Sequence, residues 1–85
     1  MNLEILKQRF QKALGIVDHE LTDDELIQIY LQIRKTKPSE RTEANLQSIV
    51  TSITGIDSFL LTEALDNSDI DDMIDQIEDA LKNRR

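Results

Sequence analysis

The sequence lacks cysteine and tryptophan, and its 85 residues include one proline, two glycines and one histidine. Without cysteine there is neither a disulfide framework nor a thiolate zinc site, and a single histidine excludes zinc sites built from several histidines. A chain of this length must then rely on an apolar core, either its own or one completed by a partner or a second copy. The aromatic residues are Phe10, Tyr30 and Phe59, so Leu, Ile and Val must fill most of that core.

Long apolar runs are also missing. Charged residues interrupt the first segment at Glu4, Lys7, Arg9 and Lys12, which excludes a signal-peptide core, and no run approaches transmembrane length. We therefore expect one helical domain over residues 1–85 that lies in the cytoplasm and does not bind membranes.

Basic residues are scarce in the second half of the chain. Residues 1–42 carry seven basic and seven acidic side chains, whereas residues 43–85 carry three basic and ten acidic ones, which accounts for the net charge of −7. Between Arg41 and Lys82 there is no Lys or Arg. This half therefore lacks the basic footprint of nucleic-acid binding, and we expect no direct binding to DNA.

The spacing of apolar residues predicts an all-α fold. Helix start and stop signals divide the chain into about five short helices, which form a compact bundle or an orthogonal array. Their approximate bounds are residues 3–14, 23–36, 40–54, 58–66 and 69–83. The clearest start is a capping box formed by Thr22 and Glu25, and the wide apolar arc of the helix that follows predicts a central position.

Single residues predict where the other helices begin and end. Gly15 is expected to stop the first helix, and Gly55 is expected to stop the third in the left-handed conformation. Ser39 and Ser68 are expected to cap the third and fifth helices. Residues 49–61 leave an alternative open, because their dense Ile, Val and Thr content also suits a β-hairpin. The competing interpretation is a helix–turn–helix corner whose second helix carries no basic residue for DNA.

The last predicted helix is strongly amphipathic. Its apolar stripe consists of Ile70, Met73, Ile74, Ile77, Ala80 and Leu81. Its opposite face carries the candidate partner-binding residues, which are Asp71, Asp72, Asp75, Glu78 and Asp79. At the helical repeat of about 100° per residue these five carboxylates fall within roughly 120° of arc. Their mutual repulsion favours either a well-solvated face or a surface for a basic partner.

The residues offer little for catalysis or metal binding. His19 lies between Asp18 and Glu20, which suits a surface histidine in a polar connection better than a catalytic dyad. The acidic stretch from Asp66 to Glu78 fails the EF-hand pattern, because its fifth and sixth positions hold Ile70 and Asp71. We therefore expect no enzyme activity, no metal site and no cofactor.

One short segment resembles a known family. The run Gly55-Ile56-Asp57-Ser58-Phe59-Leu60, together with the last helix, resembles acyl and peptidyl carrier proteins, in which a serine at a helix start receives phosphopantetheine. The resemblance implies modification at Ser58. The sequence departs from the family after that serine, because only a brief predicted helix separates Ser58 from the last one, where carriers have a long acidic helix and another short one.

These patterns lead to a functional hypothesis. The leading interpretation is a non-catalytic interaction module, acting as an inhibitor, an immunity-type antagonist or a regulatory subunit. It would dock on a basic protein, such as one that handles nucleic acid, through the last helix. A first alternative is an oligomeric structural or assembly component of a phage or mobile element, which keeps self-association open. The carrier-like domain modified at Ser58 is the second alternative.

Overall fold

The computed structural model describes residues 3–17, 19–60 and 64–83. These residues form four α-helices and one turn of 3-10 helix, and none of them forms a β-strand. The α-helices are α1 (Leu3–Leu14), α2 (Asp23–Lys35), α3 (Glu43–Thr54) and α4 (Asn67–Lys82), and the 3-10 turn spans Pro38–Glu40. The radius of gyration is 11.8 Å, close to the ~12 Å expected of a folded domain of this length. The predicted all-helical class is confirmed.

The first helix has its predicted bounds, and the second begins at Asp23 as predicted but ends at Lys35, one residue earlier than predicted. Gly15 follows α1 with a φ of 69°, a conformation that L side chains resist. The capping box at the start of α2 is complete, because the Thr22 hydroxyl accepts the Glu25 N–H and the Glu25 carboxylate accepts the Thr22 N–H. Local hydrogen bonding was therefore sufficient to place both boundaries.

The third helix begins later than predicted. Ser39 lies inside the 3-10 turn and caps nothing, so its assignment as the helix cap was wrong. The cap is Thr42, whose hydroxyl accepts the N–H of Asn45 at 3.2 Å. The helix ends as predicted, with Gly55 in the left-handed conformation at a φ of 81°. Residues 49–54 are helical, so the hairpin alternative for residues 49–61 is wrong.

The predicted short helix over residues 58–66 is not found in the part of it that the structure describes. Residues 58–60 and 64–66 have no regular secondary structure, and residues 61–63 lie outside the described part of the chain. Ser68 does not cap the last helix. Asp66 does so, two residues earlier, in a capping box with Asp69. The helix therefore begins at Asn67, and it ends at Lys82.

Helix α2 is central, as its wide apolar arc predicted, and it packs against α1, α3 and α4. All the side chains that are buried in the described residues are apolar or aromatic, and they form one cluster. The members of this core from the helices are Leu3, Leu6, Phe10, Leu14, Leu26, Ile29, Tyr30, Ile33, Leu46, Val50, Ile70, Ile74, Ile77 and Ala80, and the α1–α2 connection adds Ile16 and Leu21.

Two polar contacts hold the connections against this core. The side chain of Gln11 donates to the His19 carbonyl at 2.8 Å and accepts the Leu21 N–H at 2.9 Å, which fastens the α1–α2 connection to α1. The segment after α3 returns to the same end of the molecule, where the Leu60 N–H donates to the Gly15 carbonyl at 3.0 Å. A Cβ at Gly15 would stand 2.1 Å from the Leu60 carbonyl oxygen, so a larger residue does not fit there.

Candidate interaction surface

A capping box fixes the start of α4, the helix that carries the acidic residues. The reciprocal hydrogen bonds between Asp66 and Asp69 satisfy backbone N–H groups that the first turn leaves unpaired. Ile70, Ile74, Ile77 and Ala80 bury one face of α4. This burial determines the rotation of the helix, and it directs the candidate partner-binding carboxylates to the opposite face and its flanks.

Two of the five predicted residues are engaged inside the molecule. Asp71 accepts a hydrogen bond from Arg41 Nη1 at 2.9 Å, and Glu78 forms a salt bridge with Arg34. The hydrogen bond from Arg34 lowers the pKa of Glu78, and the same contact raises the pKa of Arg34. Both carboxylates lie on the flank of α4 that faces the C-terminal end of α2, so they help to join the two helices.

Arg34 contacts both Glu78 and Tyr30 at this junction. Besides pairing with Glu78, its Nη1 donates to the Tyr30 hydroxyl at 2.7 Å, and its guanidinium carbon lies 5.9 Å from the centre of the Tyr30 ring. That separation lies within the range of a cation–π contact. The pairing of Arg34 and Glu78 is therefore supported by the buried Tyr30 beneath it, and both charges have structural roles.

The other three predicted residues, Asp72, Asp75 and Asp79, are brought together on the outer face of α4 and are exposed. None of their carboxylates forms an ion pair or a side-chain hydrogen bond with any residue that the structure describes. Lys82 follows Asp79 by three residues and is the base that α4 itself supplies. The acidic surface therefore reduces to three unpaired carboxylates, bordered by paired ones.

Arg41 is a structural residue that the sequence analysis did not identify individually. Its Nε donates to the carbonyls of Ile33 and Thr36, and its Nη2 donates to the carbonyl of Arg34. These carbonyls belong to the end of α2, where the last turn leaves acceptors unsatisfied. Arg41 thereby closes the C-terminal end of α2 while it holds Asp71 of α4. The signal in the sequence was a cation shortly after a helix end.

His19 contributes to the start of α2. Its Nε2 lies 3.1 Å from Glu25 Oε1, the same carboxylate that accepts the Thr22 N–H. Burial raises the pKa of Glu25, but the hydrogen bonds from Thr22 and His19 lower it by more, so it falls below the usual 4.5. The contact of His19 with Glu25 joins the connection to the start of α2. Of the two neighbouring carboxylates considered above for a dyad, Glu20 is exposed and Asp18 lies outside the described residues.

Ser58, the candidate modification site, is exposed in the segment that follows α3. No helix begins at Ser58, so the helical context that the carrier resemblance requires is missing among the described residues on either side of it. Ser58 lines a surface pocket of about 350 Å³ between this segment and the α1–α2 connection. Val17 and Leu60 line the same pocket and are 67% and 61% exposed.

The described residues show neither a metal-binding cluster nor a membrane-spanning helix. They contain no group of three or more His, Cys, Asp or Glu side chains arranged to hold a metal ion. None of their helices has both the length and the apolar character needed to span a bilayer.

Comparison of the chain with protein-family models, with curated proteins and with solved structures finds no match.

Proposed function

We propose that this protein is a non-catalytic interaction module that binds a basic surface of another protein through Asp72, Asp75 and Asp79 of α4. The observation that carries the proposal is the division among the five acidic residues of this helix. The fold pairs Asp71 and Glu78 with its own arginines, whereas the three outer carboxylates form no ion pair with any described residue. Asp71 and Glu78 therefore have a structural role in joining α4 to α2. We assign the three outer carboxylates, which have no such role, to binding.

The spacing of the three carboxylates suits a basic partner. Asp72, Asp75 and Asp79 stand three and four residues apart, where like charges on a helix are neighbours and repel each other by tenths of a kcal/mol per pair. Lys or Arg side chains of a partner relieve this repulsion and accelerate association, by an amount that falls as salt rises. Proteins that handle nucleic acid present such surfaces, so nucleic acid is expected to compete for the same partner.

Replacing the three carboxylates by amides tests the proposal. The triple substitution Asp72→Asn, Asp75→Asn and Asp79→Asn leaves the buried face of α4 untouched, so helicity is expected to stay unchanged by circular dichroism. A partner is first enriched from cells of the source organism on the immobilised wild-type protein, and its affinity is then measured by calorimetry. The triple variant is expected to bind at least tenfold more weakly, on the order of 1.4 kcal/mol.

A matched control separates this surface from total charge. The substitutions Glu20→Gln, Asp24→Asn and Glu40→Gln also remove three exposed carboxylates, but from outside α4. This control is expected to lose much less affinity than the α4 variant. Equal losses in the two variants would assign the binding to net charge alone. An unchanged affinity in the α4 variant would show that the outer face of α4 is merely solvated.

A further inference from the structure

The pocket between the α1–α2 connection and the segment after α3 combines exposed apolar side chains with unpaired polar groups. Val17 and Leu60 are the two most exposed large apolar side chains of the described residues, and both line this pocket of about 350 Å³. A lone exposed apolar residue is common, whereas two that share one depression indicate a surface that excludes water when occupied. Among the described residues that line it, none belongs to α4 and none is Lys or Arg.

The polar groups of this pocket indicate what kind of occupant it takes. The backbone and side chains of Asp57 and Ser58 make no hydrogen bond within the described part of the chain, although both residues line the pocket. Peptide segments satisfy backbone N–H and C=O groups of this kind while placing one side chain in an adjacent apolar depression. The Asp57 carboxylate adds a negative charge at the pocket and forms no ion pair within the described part of the chain, and His19, which also lines the pocket, contacts Glu25 instead.

We propose that this pocket is a second binding site, which takes a short peptide segment of another protein carrying an apolar side chain next to a Lys or Arg. The apolar side chain packs between Val17 and Leu60, the cation pairs with Asp57, and the peptide backbone bonds to the groups around Ser58. A basic segment is favoured over a second copy of this chain, because two copies with a net charge of −7 each repel one another. The site does not depend on the acidic face of α4.

A random library of short peptides displayed on phage is the probe. It is selected on the wild-type protein and counter-selected on Leu60→Glu, with Leu31→Glu as the matched control, since Leu31 is 47% exposed and lies outside the pocket. The enriched sequences are expected to pair an apolar residue with Lys or Arg. A synthetic copy of one of them is expected to shift the backbone amide signals of Val17, Asp57 and Leu60 in NMR spectra of the full chain.

Affinity measurements with that synthetic peptide complete the test. Asp57→Lys, at an exposed position, is expected to weaken binding at least tenfold, whereas Leu31→Glu and the α4 triple variant stay within about twofold of wild type. Failure of the α4 proposal therefore leaves this result unchanged. No enrichment over the Leu60→Glu background, enriched sequences without a base, amide shifts confined to α4, or full affinity in Asp57→Lys would each overturn the inference.

Discussion

Removing the side chain of Arg41 is expected to cost about 2–3 kcal/mol of the free energy of unfolding. Three of its hydrogen bonds go to carbonyls at the end of α2, at 3.0–3.2 Å, and the fourth goes to Asp71. Hydrogen bonds to charged groups contribute about 1.5–3 kcal/mol when buried, but water replaces part of this at a helix end. The ion pair with Asp71, whose side chain is 40% exposed, adds about 1 kcal/mol or less.

Comparing Arg41→Ala with three further variants isolates this role. Arg41→Lys keeps the charge but loses the planar fork that reaches several carbonyls together, so it is expected to lose most of the stability that Arg41→Ala loses. Asp71→Asn removes only the ion pair and is expected to cost about 1 kcal/mol or less. Lys37→Ala, in the same connection and exposed, is the control and is expected to change little.

Urea unfolding followed by far-UV circular dichroism measures these differences. A domain of this length has a total stability of roughly 4–13 kcal/mol, so a loss of 2–3 kcal/mol shifts the midpoint clearly. If Arg41→Lys is as stable as wild type, the charge of Arg41 matters and its contacts with the carbonyls do not. If Arg41→Ala loses no more than Lys37→Ala, the contacts at the end of α2 contribute nothing to stability.

Two further predictions concern glycine positions and acid sensitivity. Gly15→Ala is expected to destabilise by more than 2 kcal/mol, because its Cβ would meet the Leu60 backbone at a positive φ. A Cβ added at Gly55 would meet no atom of the described residues within 4 Å, so Gly55→Val is expected to cost only about 1 kcal/mol, from φ alone. Urea midpoints that are equal for the two variants would contradict the steric part of this argument. Folding lowers the pKa of Glu25. The contribution of Glu25 to the free energy of unfolding is therefore fully present above its unfolded pKa and disappears as pH falls through its folded pKa. Below about pH 4.5, the free energy of unfolding of Glu25→Gln is therefore expected to fall less steeply with pH than that of the wild type. Urea titrations that give the same pH dependence for both proteins in that range would contradict this prediction.

The helices that the sequence predicted correctly are those whose signals are local. The Thr22 capping box and the left-handed glycines at the ends of α1 and α3 depend on residues within one turn of the boundary. The failures arose where several residues compete for one cap. Ser68 and Asp66 are both good caps, and each has an aspartate three positions later, Asp71 and Asp69 respectively. In the structure Asp71 pairs with Arg41, whereas Asp66 and Asp69 form the box, so the local pattern alone did not distinguish the two starts of α4.

The third helix shows the same competition over a longer distance. Ser39 follows the proline directly, yet the chain forms a 3-10 turn there and begins the helix after Thr42. Tertiary contacts favour this later start. Asn67 donates to the Pro38 carbonyl at 2.9 Å, and the carboxylate of Glu43 accepts the Leu65 N–H at 2.7 Å. These partners are more than 20 residues apart, so no local pattern reveals them.

The prediction of the candidate site was incomplete for a related reason. Helical periodicity correctly grouped the acidic residues of α4 on the side opposite its core stripe. It treated the helix as isolated, however, and therefore did not anticipate that Arg34 and Arg41 would reach Glu78 and Asp71 from the preceding elements. Which charges on a helix remain unpaired depends on the neighbouring elements, so they can be identified only once the packing of the helices is known.

The same pairing affects how salt dependence should be interpreted. Salt screens the attraction between a partner and the three outer carboxylates of α4, but it also screens the ion pairs of Arg34 and Arg41 that join α4 to the rest of the fold. A loss of binding at high salt therefore has two physical sources. Measuring the unfolding free energy at each salt concentration separates them, because weakened docking leaves that free energy unchanged, whereas weakened internal pairs lower it. Binding that falls while stability is constant is the result that assigns the effect to the outer face.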